Sequence, residues 1–107
     1  MYFSLETLRE KIKRLLMETT YPLSVEEIAL SLGLDPRNKD AIYEHLKHIA
    51  KTIRRESQGQ LVLYMLPPKC RNCGYVFKKL DKPRKPSKCP KCKSQRIDPP
   101  RFIIEKV

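Results

Sequence analysis

The stretch Cys70-Arg71-Asn72-Cys73, followed after fifteen residues by Cys89-Pro90-Lys91-Cys92, contains all four cysteines of this 107-residue chain. Two Cys-x2-Cys pairs at this separation fit one tetrahedral metal site, because each pair forms a tight turn that offers two thiolates from one side. Four soft thiolates leave no open coordination position. We therefore expect one structural Zn2+, with iron as the alternative ion, on Cys70, Cys73, Cys89 and Cys92. A pair of disulfides is the other interpretation, but it requires an oxidising compartment, and the sequence shows no secretory signal pattern.

The segment around these cysteines has too few apolar side chains to fold without a metal ion. Between residues 69 and 97 they are chiefly Tyr75, Val76, Phe77, Leu80 and Ile97. This set is too small to offset the ordering entropy of nearly thirty residues. Structural zinc supplies on the order of 10 kcal/mol in small peptides. We therefore expect this segment to unfold first when the ion is removed.

The segment resembles the zinc ribbons and rubredoxin-like knuckles of transcription proteins, most closely in Cys70-x-x-Cys73-Gly74-Tyr75 and Cys89-Pro90-x-Cys92. Lys93 follows the second pair where such knuckles usually have glycine. A left-handed backbone at that position costs a non-glycine residue free energy, so we expect the second turn to be less regular than the first. The likeness to rubredoxin also implies an alternative function as an iron-containing electron carrier, although the loop is shorter than that class would have.

The positive charge of the chain is concentrated in the cysteine segment. The net charge is +11, and residues 69–96 contain eleven Lys or Arg against one Asp, whereas residues 1–68 contain ten against nine Asp or Glu. This excess predicts a partner with dense negative charge, most commonly a phosphate backbone. A solvated surface of a protein from a hot or salty habitat would instead show mixed signs. No apolar run approaches a membrane span, so we expect no membrane partner and a cytoplasmic protein.

Apolar residues at helical spacing predict three helices in the first half of the chain. Ser4 is expected to cap the first helix, and Ser24 with Glu27 forms a predicted capping box for the second. Gly33 is placed to end the second helix in a left-handed cap. The third helix is predicted from Asn38 to Arg55, and its expected core residues are Ile42, Leu46, Ile49, Ala50 and Ile53.

The second and third helices resemble the helix-turn-helix of winged-helix transcription regulators. The resemblance is carried by Leu23-Ser24-x-x-x-Ile28-Ala29-x-x-Leu32-Gly33-Leu34 and Ile42-x-x-His45-Leu46-x-x-Ile49. In that family a β-hairpin wing follows the third helix. Strand patterns occur at residues 60–66 and 101–107, with a Pro-Pro pair on the ribbon side of each. We expect these strands to pair antiparallel as the stem of a wing.

The expected fold is therefore α+β. A winged helix-turn-helix domain of three helices and a β-hairpin wing takes residues 1–68 and 98–107, and a zinc ribbon, residues 69–97, is inserted in the wing. This combination resembles transcription regulators, found mostly in archaea, that fuse a winged helix-turn-helix with a rubredoxin-like zinc ribbon. The resemblance implies regulation of transcription through binding of double-stranded DNA.

The predicted DNA contacts lie on the solvent face of the third helix and in the ribbon. Within the basic loop, residues 82–88, Pro83 and Pro86 are expected to hold Arg84 and Lys85 extended and outward. The complete set is Lys47, His48, Lys51, Arg54, Arg55, Lys82, Arg84, Lys85, Lys88 and Lys91.

Two carboxylates weaken the expectation that the third helix reads bases. Asp40 and Glu44 occupy its N-terminal half, where phosphates would repel them. They favour the alternative that the protein is an adaptor that binds a protein of the transcription machinery. His45 and His48 have no nucleophile pattern beside them, so we expect no enzyme. A homodimer remains open.

Overall fold

A computed structural model describes residues 6–78 and 83–107 of the chain. In chain order the elements are α1 (Leu8–Glu18), β1 (Leu23–Ser24), α2 (Val25–Ser31), a 3-10 turn (Pro36–Asn38), α3 (Lys39–Glu56), β2 (Leu61–Leu66), β3 (Lys69–Cys70), β4 (Ile97–Asp98) and β5 (Arg101–Lys106). Three helices with antiparallel strands confirm the α+β class. Within these ranges, no helix combines the length and the apolar character that crossing a membrane requires.

Capping boxes set where the first two helices begin. The expectation that Ser4 caps α1 is wrong, because α1 starts at Leu8 and its N-cap is Thr7. The Thr7 hydroxyl accepts from the Glu10 amide at 3.2 Å, and the Glu10 carboxylate accepts from the Thr7 amide at 3.2 Å. The predicted box at α2 is confirmed, with Ser24 and Glu27 exchanging the same two hydrogen bonds. In each case two amides that the helix itself leaves unpaired are satisfied.

One hydrophobic core holds the helices against the larger sheet. The apolar stripe of α3 is buried, but Ala50 is exposed, so its predicted core position is wrong. Ala50 lies roughly 70° around the helix from the centre of that stripe, on a side that no described element covers. The buried residues of this core are Ile12, Leu16, Leu23, Val25, Ile28, Ala29, Ile42, Leu46, Ile49, Ile53, Phe102 and Ile104.

The last strand, β5, is the central strand of the larger sheet. β5 pairs antiparallel with β2, from Leu61 opposite Lys106 to Leu66 opposite Arg101, which confirms the predicted pairing. It also pairs with the short strand β1, which the sequence pattern did not reveal, so the sheet order is β1-β5-β2. Beyond the Pro-Pro pairs, β3 and β4 form a separate two-stranded sheet that opens into the cysteine segment. The ribbon therefore extends from the end of the β2–β5 hairpin.

Candidate metal centre and basic surface

The two Cys-x2-Cys pairs adopt the same turn. The Gly74 amide donates to the Cys70 carbonyl at 3.0 Å, and the Lys93 amide donates to the Cys89 carbonyl at 2.9 Å. Both closing residues have left-handed backbones, with φ of 81° at Gly74 and 65° at Lys93. The expected irregularity of the second turn is therefore not found. The hydrogen bonds of the knuckle impose the left-handed backbone on Lys93 despite its side chain.

The four sulfur atoms are arranged for one ion. The Sγ atoms of Cys70 and Cys92 lie 3.6 Å apart, as do those of Cys73 and Cys89, and all four lie within 4.8 Å of one another. Ligands at about 2.3 Å from a tetrahedral centre are roughly 3.8 Å apart, whereas disulfide sulfurs are about 2.05 Å apart. All four cysteines are free. The geometry therefore fits a tetrahedral metal site and excludes a pair of disulfides.

Amide donors surround these sulfurs. The Asn72 side-chain amide donates to Cys92 Sγ at 3.4 Å, and the Lys91 backbone amide donates to Cys89 Sγ at 3.3 Å. The Asn72 amide, with the backbone amide of Ser94, lowers the pKa of Cys92 to about 6. Asn72 was not among the predicted site residues, and its position inside the first Cys-x2-Cys pair is the sequence signal that points to it.

Cys73 shows why the cluster needs a cation. The Tyr75 backbone amide lowers the pKa of the Cys73 thiol. Loss of water and the three neighbouring sulfurs raise it by more, so the pKa of this thiol is about 12. Four adjacent thiolates repel one another, so without a cation at least one sulfur keeps its proton. A divalent ion removes this repulsion and displaces the protons as it binds.

The core of the ribbon is as small as its composition suggested. Its buried residues are Cys70, Cys89 and Ile97, with Phe77 and Cys92 packed against them. Tyr75 and Phe77 pack against each other edge to face, with ring centroids 5.0 Å apart. Leu80 lies outside the described residues. In the described part of the ribbon, two of the three residues buried in this cluster are metal ligands, so the ion holds most of this core together.

The predicted contact residues on α3 form one exposed surface. His48, Lys51, Arg54 and Arg55 are exposed and lie in the C-terminal half of the helix, while Lys47 is half-buried at its middle. Positive charge in the last turn also favours the helix itself, because the C-terminal end of the helix dipole is negative. In the part of the chain that the structure describes, none of the five forms an ion pair.

The basic loop is placed differently from the expectation. Arg84 and Lys85 are exposed but do not project away from the body, because they line a cavity of about 240 Å3 together with Glu26, Asp40 and Tyr43. Partial burial raises the pKa of Glu26, but the backbone amide of Glu26 and the Lys39 ammonium lower it below its ordinary value, and Lys85 adds a smaller contribution in the same direction. Arg84 and Lys85 therefore lie beside the first turn of α3, where Lys39 and Asp40 line the same cavity.

The remaining ribbon cations, Lys88 and Lys91, are exposed, while Lys82 falls outside the described residues. The structure does not bring the two predicted basic sets into one patch. Along α3, Asp40 beside Arg84 and Lys85 is seven residues from Lys47 and fourteen from Arg54, or about 10 Å and about 20 Å. Asp40 and Glu44 lie between the two sets along α3.

Comparison with known proteins identifies both parts of the chain. The family profile described as PF0610-like, N-terminal, matches residues 7–62, and the PF0610 rubredoxin-like zinc beta-ribbon domain matches residues 67–107. A comparison with curated proteins gives no significant match. The two profiles divide the chain before β3 and so group β5 with the ribbon. The division predicted above, which assigns residues 98–107 to the helical domain, stays a prediction.

A solved structure covers the whole chain. The solution NMR structure of protein PF0610 from Pyrococcus furiosus is 40% identical, with a TM-score of 0.75, and the match spans 100% of this chain and 99% of that one. The zinc-ribbon match and the sulfur geometry agree on one structural Zn2+ held by the four cysteines. The chain belongs to the PF0610-like family and carries that family's N-terminal domain followed by its rubredoxin-like zinc β-ribbon.

Proposed function

We propose that this protein is a DNA-binding regulator of transcription, built as a winged helix-turn-helix with a zinc ribbon in its wing. The observation that carries the proposal is the set of exposed cations without ionic partners. Among the described residues, Lys51, Arg54, Arg55, Arg84, Lys85, Lys88 and Lys91 are exposed and form no ion pair, and most belong to a segment with almost no acidic residue. Such cations break no close ion pair when they bind phosphates, and each releases counterions from the DNA.

The arrangement of the elements supports the helix-turn-helix part of the proposal. α2 and α3 are joined by a turn of seven residues, residues 32–38, and both pack into one core with the β2–β5 hairpin behind them. In such an arrangement the second helix enters the major groove. The ribbon at the end of the hairpin then takes the place of the tip of a wing.

The acidic residues of α3 bear on which part of this helix would contact DNA. Asp40 and Glu44 lie in the N-terminal half of α3, which in a helix-turn-helix faces the base edges. Arg84 and Lys85 line the same cavity as Asp40 and offset its charge, whereas Glu44 does not line that cavity. We therefore propose that the C-terminal half of α3 and the ribbon contact two separate stretches of phosphate backbone, with little direct reading of bases.

The test is the salt dependence of binding to double-stranded DNA. The logarithm of the affinity should fall linearly with the logarithm of salt concentration, and Arg84→Ala should reduce that slope by about 0.9, one phosphate contact. Arg37→Ala is the matched control, because it removes the same charge from an exposed arginine that Asp35 already pairs at 2.8 Å. Equal effects of the two substitutions would reduce the role of Arg84 to net charge. A flat salt dependence would overturn the proposal.

An adaptor that binds a protein of the transcription machinery is the second candidate. The specific observation in its favour is the mixed-charge cleft between the two parts of the chain, of about 380 Å3, where Glu26 and Glu27 face Arg71, Arg96 and Arg101. Opposed charges of this kind match a protein surface better than a uniform run of phosphates. Failure to bind any duplex at low salt, with retention of an acidic protein partner, would favour the adaptor. Either function leaves the zinc ion a structural role, and neither includes a catalytic step.

A further inference from the structure

Strand β2 forms an edge of the larger sheet. The sheet order β1-β5-β2 gives β2 one neighbour within the described ranges, and that neighbour is β5. The side chains of Leu61, Leu63 and Met65 pack against the core. Those of Tyr64 and Leu66 are on the other face, and they are 42% and 46% exposed. This strand therefore presents both an open backbone edge and an apolar outer face.

The register shows which backbone groups face the open edge. The Val107 amide donates to the Gln60 carbonyl at 2.9 Å, which fixes the phase of the ladder, so Val62, Tyr64 and Leu66 exchange hydrogen bonds with β5. The alternate residues direct their amides and carbonyls away from the sheet. The Leu61 amide is occupied, because it donates to the Ser57 hydroxyl at 2.9 Å. Leu63 and Met65 have no partner for these groups among residues 6–78 and 83–107.

This edge lacks the usual protection against strand pairing. Natural edge strands carry charged residues, proline or a bulge that block the approach of another strand. Residues 57–68 contain no charged residue, although 33% of the chain is charged, and the two prolines in this stretch come only after the strand has ended. A charged peptide would find no complementary group here. A neutral apolar strand would match both the uncharged edge and the apolar outer face.

We propose that β2 pairs with β2 of a second copy of this chain, antiparallel about a two-fold axis at Tyr64. Leu63 then exchanges two hydrogen bonds with Met65 of the partner subunit, and Met65 does the same with Leu63 of the partner subunit. All the open groups are used, and the two sheets become one of six strands. A register centred on Leu63 would require the Leu61 amide, which Ser57 holds.

The charge distribution favours a second copy as the occupant. Residues 1–68 carry ten basic and nine acidic residues, so two such bodies meet without strong repulsion, while the surplus charge belongs to residues 69–96. The edge is also self-complementary, because its two open residues are placed symmetrically about Tyr64. This inference does not depend on the proposed function, and it would hold for a regulator or an adaptor.

Disulfide trapping tests the register. Directly opposite residues of a non-hydrogen-bonded pair have Cα atoms about 4.5 Å apart, within the range of a disulfide, so zinc-loaded Tyr64→Cys should form a covalent dimer on mild oxidation. Leu66→Cys is the matched control, on the same face and similarly exposed. Its Cα atom would be about 14 Å from its counterpart, and this variant should remain monomeric on a gel run without reducing agent. Equal cross-linking of the two variants, or none in Tyr64→Cys, would overturn the register.

Sedimentation equilibrium tests the dimer itself. The unmodified chain should sediment at twice its mass of 12.6 kDa, and Tyr64→Lys, which opposes two like charges at the axis, should return it to that mass. Leu30→Lys adds the same charge at an 84% exposed leucine of α2 and should stay dimeric. Residues 1–5 are the competing occupant of the edge. A monomeric wild-type chain that dimerises only when they are deleted would overturn the proposal.

Discussion

Replacing Lys93 with glycine should tighten zinc binding. Lys93 and Gly74 close equivalent turns with left-handed backbones, but only one of them is glycine. A side chain in that conformation costs about 1–2 kcal/mol, while glycine gives back about 0.5–1 kcal/mol in chain entropy, so the net gain is about 0.5–1 kcal/mol. Because the ribbon folds with its metal, this gain should raise zinc affinity about two- to fivefold.

Two further variants separate backbone conformation from charge. Lys93→Ala removes the same charge but keeps the Cβ, so its zinc affinity should stay close to that of the wild type. Gly74→Ala should weaken binding by a similar factor, because a Cβ there meets no atom within 4 Å and its cost is therefore conformational. Competition with a chromophoric chelator at constant pH measures all three. The reasoning is refuted if Lys93→Gly binds zinc no more tightly than Lys93→Ala.

Three other predictions follow from the packing and the pKa shifts. Chelation of zinc should remove the ribbon's amide dispersion in NMR spectra and leave that of α1–α3, since the helical core contains no metal ligand. Leu46→Ala should lower the free energy of unfolding in urea by about 2–5 kcal/mol, against less than about 0.5 for the exposed Leu30→Ala. Desolvation and the charge of Arg9, whose Nε lies 3.1 Å from His45 Nδ1, lower the pKa of His45 below 6.5 in the folded protein. As the pH falls, the unfolded chain therefore binds a proton at His45 before the folded protein does. The melting temperature should therefore fall as pH drops below about 6.5, and His45→Gln should remove that part of the fall.

The features that depend on residues close together in the chain could be predicted from the sequence. The Cys-x2-Cys spacing predicted the metal cluster because each turn is made by adjacent residues. Ser24 and Glu27 predicted the start of α2 because a capping box needs only four residues. The start of α1 was missed because Ser4 and Thr7 are both acceptable caps, and the choice depends on where the first turn packs. Ala50 was misplaced because its position borders the apolar stripe of α3.

The metal ligands, the capping box of α2, the spacing of the α3 core and the excess charge of residues 69–96 could all be worked out from the order of residues, since each depends on neighbours within a few turns of chain. The addition of β1 to the sheet, the open edge of β2 and the position of Arg84 beside Asp40 were decided only by tertiary structure. Each depends on segments tens of residues apart. Whether such segments meet is determined by how the whole core closes, which no local pattern records.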